Sequence, residues 1–163
     1  MNKLLRLAQL LETYTISCAE SCTGGMLSSQ LTSISGASKW FIGSLVCYSN
    51  DVKIGILGVS ASIIEKFGAV SKETSLVMAR NCIDLFRTDL SVSITGIAGP
   101  SGGTPEKPVG TVHICICKDS VTYHCCSLFS GDRDSIRNQS VNKVIDSITL
   151  LLEGIIPYDF NIV

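Results

Sequence analysis

Four stretches of the sequence bring together side chains that can do chemistry. The first is Ala19-Glu20-Ser21-Cys22-Thr23-Gly24-Gly25, a polar turn between a strand-like run and apolar positions at helical spacing. A helix opening there aims free backbone N–H groups at the turn, where they favour an anion or a developing oxyanion. The glycines let a ligand approach the backbone. Ser21 is a candidate nucleophile with Glu20 as a carboxylate partner; the plainer alternative is that a serine or threonine before a helix only caps it. Cys22 is a second candidate nucleophile. It needs a base such as histidine, and the only two histidines, His113 and His124, fall in a segment that reads as a hairpin.

The second stretch is Tyr48-Ser49-Asn50-Asp51-Val52-Lys53, a strand end that runs into a short helix. A lysine serves as a base only when burial or a nearby cation brings its pKa well below about 10.4; otherwise it is a solvated charge on a helix surface. Asn50 either meets a ligand or shapes the turn. The third stretch, Thr95 to Pro108, holds Gly96, Gly99, Gly102, Gly103 and three of the chain's four prolines. Gly96-x-x-Gly99 follows a strand, where successive N–H groups can cradle a phosphate; a bland long loop is the alternative. No G-x-x-x-x-G-K-[ST] run is present, and proline stands where a dinucleotide-binding helix would begin. In the fourth, Gly131-Asp132-Arg133-Asp134-Ser135-Ile136-Arg137, the two arginines share a helical face. That face either holds a phosphate or forms exposed ion pairs with Asp132 and Asp134.

Alternating elements must position these stretches. Leu4, Leu7, Ala8 and Leu11 predict a helix within Met1–Tyr14, and Thr15–Cys18 a short strand. Met26, Leu27, Leu31 and Ile34 suit a helix, Phe41–Tyr48 a strand, and Asp51–Leu57 and Ser60–Phe67 short helices. Ser71 is a candidate N-cap for a helix over Lys72–Arg87. Leu90, Val92 and Ile94 alternate with Ser91, Ser93 and Thr95, a half-polar strand. Val109–Cys117 and Val121–Phe129 flank a short turn and read as a hairpin. Val141, Val144, Ile145, Ile148, Leu151 and Leu152 stripe a last helix that opens near Asp132. The pattern predicts an α/β fold with a mixed, mostly parallel sheet between helical layers.

The composition sets the frame. A chain of 163 residues suits one domain over residues 1–163. It is 45% apolar and only 17% charged, which excludes global disorder, and its mean hydropathy is +0.37. A net charge of −1 gives no basic footprint for nucleic acid, and no apolar run approaches the roughly 20 residues that span a bilayer. Met1–Glu12 carries scattered charges and does not read as a signal peptide. The expectation is a cytoplasmic protein with no membrane partner. The eight cysteines then read as reduced, mostly as small core residues. Cys115-x-Cys117 with Cys125-Cys126 lacks zinc-ligand spacing.

Six segments together, AESCTGG (19–25), YSNDVK (48–53), GAVS (68–71), SITGIAGP (93–100), GGTPEKPVGT (102–111) and GDRDSIR (131–137), resemble the CinA C-terminal domain family in order and spacing. This family is also described as nicotinamide-nucleotide amidases of the PncC type. The resemblance spans nearly the whole chain. It implies a three-layer α/β/α sandwich and hydrolysis of the carboxamide of nicotinamide mononucleotide to nicotinate mononucleotide and ammonia. It also implies a homo-oligomer, a dimer first of all, and a standalone form without the long N-terminal domain of some members. The family's serine and lysine positions fall on Ser21, as nucleophile, and Lys53, as general base. Tyr48 and Thr95 fall beside that dyad. Arg137 matches the late basic position, with Arg133 beside it. One departure is Gly43-Ser44, where the family often has two glycines.

The chemistry of the residues agrees. An amide is a poor electrophile and needs an activated nucleophile and an oxyanion site. Backbone N–H groups around Cys22, Thr23, Gly24 and Gly25 are the candidates for the oxyanion. Asn50, Gly96, Gly99, Arg133 and Arg137 are the candidates for the rest of a pyridine nucleotide. No metal or other cofactor is called for. The competing reading is a non-catalytic nucleotide-binding or competence-related partner-binding module, whose sequence would show a damaged dyad.

Overall fold

A strand buried along its whole length belongs in the middle of a sheet covered on both faces. Strand β1 (Ile16–Glu20) is such a strand. The computed structural model describes residues 3–163. In it, β1 pairs in parallel with β2 (Phe41–Val46) on one side and β3 (Leu90–Gly96) on the other. The hairpin of β4 (Thr111–Lys118) and β5 (Val121–Leu128) adds antiparallel to β3, and the short β6 (Asn161–Ile162) lines the far edge of β5. The order is β2-β1-β3-β4-β5-β6.

The sheet is mixed, as the pattern predicts, but not mostly parallel. Two of its five pairings are parallel and three antiparallel. The reason is the connection after β3. It is a loop that turns back, and without a crossover element the next strand must run antiparallel. The β4–β5 turn places both Asp119 and Ser120 at positive φ, the geometry whose twist matches a two-residue hairpin.

Helices cover both faces. On one face α1 (Lys3–Leu10), α2 (Met26–Thr32) and α6 (Arg133–Leu152) pack over Cys18, Val92, Ile94, Val112, Ile114 and Ile116. On the other lie α3 (Asn50–Gly55), α4 (Ala61–Phe67) and α5 (Lys72–Phe86), over Ala19, Cys47 and Cys115. The helix expected within Met1–Tyr14 is observed from Lys3; Met1 and Asn2 lie outside the described residues. Ile34 falls beyond α2 but still packs against the core.

The polar face of β3 is buried too. Ser91, Ser93 and Thr95 are fully covered. Their hydroxyls donate to the carbonyls of Ala79, Ser75 and Ala69 at 2.6, 2.6 and 2.8 Å. A buried hydroxyl that finds an acceptor avoids its desolvation penalty, and small side chains let the helix lie close to the strand. The same seam takes up cysteines: Cys115 Sγ meets Ser75 Oγ at 3.2 Å and Cys82 Sγ donates to Ser17 Oγ at 3.4 Å. Seven of the eight thiols are buried, Cys22 among them. Cys126 is exposed and is no core residue.

The topology dictates where a site can form. From β1 the chain passes through α2 to β2 on one flank, and from β2 through α3, α4 and α5 to β3 on the other. Connections that leave a parallel strand towards opposite flanks open a crevice at its carboxyl end. Ser21, Cys47-Tyr48 and Thr95-Gly96 all sit at carboxyl ends of these three strands. Gly96 must remain glycine there. A Cβ on it would stand 2.7 Å from Val112 Cγ2 and 2.9 Å from the Thr111 carbonyl oxygen. Gly96→Ala is expected to destabilise the fold by about 1–3 kcal/mol, the usual cost of overpacking, as measured by urea denaturation; an unchanged midpoint contradicts the close approach.

Candidate active site

β1 ends at Glu20, and the Ser21 N–H carries the pairing with β3 one step further, donating to the Ile94 carbonyl at 2.9 Å. This hydrogen bond fixes Ser21 at the mouth of the crevice. On the other flank the Cys47 N–H donates to the Glu20 carbonyl at 2.9 Å, which brings the end of β2 alongside. Ser49 then caps α3, its Oγ accepting the Val52 N–H at 3.2 Å. One turn later the Lys53 side chain points back under the strand ends.

There Lys53 Nζ lies 2.9 Å from Ser21 Oγ, 2.8 Å from the Cys47 carbonyl oxygen and 3.4 Å from the Tyr48 carbonyl oxygen. Lys53 is only 1% exposed. Among the described residues, no carboxylate lies within ion-pair distance of it. Burial disfavours the charged form and lowers the Lys53 pKa from the ordinary 10.5, with the Cys47 and Cys22 thiols opposing. Nζ donates to the Ser21 hydroxyl and to both carbonyls. Once the amine sheds a proton, two N–H groups suffice for the two carbonyls and a lone pair is free for the serine hydroxyl. The solvated-lysine alternative is excluded for Lys53.

Ser21 is not a helix cap. The residue preceding α2 is Gly25, with no side-chain cap. The cap is supplied by Glu20, whose fully buried carboxylate accepts the N–H groups of Gly25, Leu27 and Ser28 at 3.1, 3.1 and 2.9 Å and the Ser28 hydroxyl at 2.5 Å. Glu20 is therefore committed to α2 and is not the serine's carboxylate partner. Ser21 is left to Lys53. Cys22 is also set aside as a nucleophile: burial pushes its thiol up to about 11, and its neighbours include no histidine.

A cavity of about 240 Å³ opens over the dyad, lined by Ser21, Cys22, Tyr48, Asn50, Lys53, Thr95, Gly96 and Arg133. Ala69, Val70 and Ala98 complete its wall; the sequence signal for the first two was the short GAVS stretch. Thr95 is beside the dyad but its hydroxyl donates to the Ala69 carbonyl, not to Lys53. Arg133 donates from Nη1 to the Gly99 carbonyl and from Nη2 to the Tyr48 hydroxyl, both at 2.8 Å.

Thr23, Gly24, Gly99 and Arg137 stand outside the cavity wall. Arg137 reaches the turn from behind, Nε donating to the Cys22 carbonyl at 3.2 Å and Nη2 to the Thr23 carbonyl at 3.0 Å. It braces the turn that carries Ser21, so of the two arginines Arg133 is the one that faces the cavity. In the Gly96–Gly99 bend the Ile97 N–H is taken by the Thr111 carbonyl, and Gly99 turns its own carbonyl to Arg133. Gly24 and Gly25 also have their N–H groups taken, by the Ser21 carbonyl and by Glu20. That leaves the N–H of Cys22, which lines the cavity, as the donor this turn can offer there; Thr23 is fully buried outside the wall.

The model of the CinA C-terminal domain matches residues 2–152 of the chain. The chain belongs to this family. A CinA-like protein of Fervidobacterium nodosum is 50% identical over 147 residues, covering 88% of this chain and 34% of that protein. A putative competence-damage inducible protein of Caldanaerobacter subterraneus is 47% identical over 141 residues, covering 86% and 34%. The chain thus spans about one third of the length of the curated relatives it matches. Among solved structures, a CinA superfamily protein from Enterobacter cloacae superposes with a TM-score of 0.88 at 33% identity, over 92% of this chain and 90% of that one. The competence/damage inducible protein CihA from Agrobacterium tumefaciens gives 0.86 at 35% identity, over 94% and 97%. The α/β fold with helices on both faces of a six-stranded mixed sheet is the CinA fold. Among the described residues, no helix is long and apolar enough to cross a membrane.

The lowered pKa of Lys53 has a sign that stability measurements can read. Between the folded value and 10.5 the unfolded chain holds a proton that the folded chain has shed, so this group's contribution to stability rises with pH across that window. Below the folded value the full cost of burying the ammonium is present. Lys53→Met lacks this dependence. Its stability relative to the parent is therefore expected to be most favourable at low pH and to decline as pH climbs towards 10.5. Urea midpoints for both proteins across that range check it, and a constant difference refutes the shift.

Proposed function

We propose that this chain is an amidohydrolase with a Ser21–Lys53 dyad, and that it deamidates nicotinamide mononucleotide to nicotinate mononucleotide and ammonia. The observation that carries the chemistry is the 2.9 Å approach of Ser21 Oγ to an amine that is buried, without a carboxylate, and lowered in pKa. The substrate rests on the motif resemblance within the CinA family. Its relatives' names speak only of competence and damage.

Neutral Lys53 takes the Ser21 proton as Oγ attacks the carboxamide carbon. The carbonyl oxygen becomes an alkoxide and accepts a hydrogen bond from the Cys22 N–H. The Lys53 ammonium then gives its proton to the departing nitrogen, and ammonia leaves an ester on Ser21. A water molecule, deprotonated by Lys53, attacks that ester and releases the acid. The amide and one water thus become the acid and one ammonia. The cavity of about 240 Å³ is smaller than the roughly 300–1,000 Å³ of sites that enclose a drug-sized ligand. It suits the carboxamide-bearing ring, with ribose and phosphate at the mouth beside Tyr48 and Arg133.

Ammonia release from nicotinamide mononucleotide is the test. The parent protein is expected to turn over, and Ser21→Ala and Lys53→Met to lose at least about 10³-fold in kcat, as when a member of a catalytic unit is removed. The rate should fall on the acid side as Lys53 gains its proton. Equal release by parent and Ser21→Ala removes Ser21 as nucleophile; binding without release by the parent favours the non-catalytic module.

A further inference from the structure

The turn that carries Ser21 is held between two opposite charges. On its N–H side stands the Glu20 carboxylate, on its C=O side the Arg137 guanidinium. The carboxylate is the unusual half. It is fully buried, and among the described residues no cation stands within ion-pair distance. A buried carboxylate without a cation persists only when hydrogen bonds and oriented dipoles replace its water. Here three backbone N–H groups, one hydroxyl and the start of α2 do so.

We infer that Glu20 is a positioning residue for the oxyanion of the proposed amidase reaction. By taking the Gly25, Leu27 and Ser28 N–H groups it holds the turn in which Cys22, the turn residue after Ser21 that lines the cavity, offers its N–H, and fixes the direction of that donor. The inference rests on the amidase reading and adds to it a residue that touches neither substrate nor dyad side chain.

The geometry shows how the carboxylate acts at a distance. In a trans peptide the C=O and the following N–H point in opposite directions. The Ser21 carbonyl accepts the Gly24 N–H at 3.1 Å, so the Cys22 N–H of the same peptide points away from Gly24. That orientation survives only if the next turn cannot rotate. Glu20 prevents rotation by pinning Gly25, Leu27 and Ser28. The same residue's backbone carbonyl accepts the Cys47 N–H, and the Cys47 carbonyl in turn holds Lys53. A neutral amide in place of the carboxylate keeps the shape but offers one acceptor oxygen instead of two, and a donor NH₂ facing N–H groups.

The experiment compares Glu20→Gln with Ser28→Ala. Ser28→Ala removes the one side-chain hydrogen bond to Glu20 and leaves the three backbone ones, so it reports loss of stability alone. In Glu20→Gln, kcat for ammonia release is expected to fall by about 10- to 100-fold, within the range for a weakened oxyanion donor. KM should stay within about threefold and the acid limb of the pH profile should not move, because Lys53 keeps its partners. Ser28→Ala should keep near-parent kcat even where its Tm falls. Amide hydrogen exchange supplies a second readout without turnover. Protection at Gly25, Leu27 and Ser28 should drop at least tenfold in Glu20→Gln while β1 and β3 amides keep theirs. An unchanged kcat, a loss confined to KM, or a shifted acid limb overturns the inference. If the parent releases no ammonia at all, the amidase reading fails. In that case the exchange experiment still decides whether Glu20 pins the turn, and unchanged protection refutes it.

Discussion

An amine taken out of water must find an anion or give up its proton. Around Lys53 Nζ the fold provides two carbonyls and a serine hydroxyl, and among the described residues no carboxylate within ion-pair distance. Supplying an ion-pair partner would stabilise the ammonium and raise the lysine pKa again. The nearest buried carboxylate, Glu20, belongs to the residue before Ser21, yet its charge is spent on the start of α2. The arrangement around the dyad follows from keeping these two groups apart. The parallel strand ends bring Ser21 and the Cys47 carbonyl together, the short α3 swings Lys53 beneath them, and α2 draws Glu20 to the opposite face.

Much of the site could be read in the sequence because its chemistry is local. Ser21, Lys53, Tyr48 and Thr95 lie in short runs that follow strand ends, and in a parallel arrangement such ends converge. The helix cap at Ser71 and the opening of the last helix near Asp132 were legible for the same reason, since a helix start is marked by its neighbours in the chain; both residues accept an N–H three residues on. What escaped was long-range. Glu20 looked like a partner for Ser21 because the two adjoin, but successive residues at a strand end point to opposite faces. Arg133 and Arg137 share a helical face and read as one unit, either a phosphate site or a row of exposed ion pairs. A single turn of helix separates what they reach: Tyr48 and Gly99 for the first, Cys22 and Thr23 for the second.

The sheet shows the same division. The alternation in β3 marked it as a strand, and its serines and threonine marked one face as polar. A polar face ordinarily meets solvent, but here the hydroxyls donate to carbonyls of α5 and of the turn before it. Hydroxyl-to-backbone bonding leaves no periodic mark, so period and composition cannot distinguish it from exposure. The count of parallel strands escaped for another reason: the direction of β4 depends on whether a loop crosses the sheet or folds back, and a glycine- and proline-rich stretch can do either.

Those hydroxyls also act as a ruler. Ser91 and Ser93, two residues apart on β3, bond the carbonyls of Ala79 and Ser75, four apart on α5. A two-residue step along a strand is about 6.6 Å and four residues of helix about 6.0 Å, so one notch on the strand matches one turn of the helix. A sliding helix would find no halfway position, only a jump of a full turn that strands a hydroxyl at one end. The third graduation, Thr95 on Ala69, lies at the cavity itself. The depth of the pocket floor is thus set in discrete steps by a row of small polar side chains.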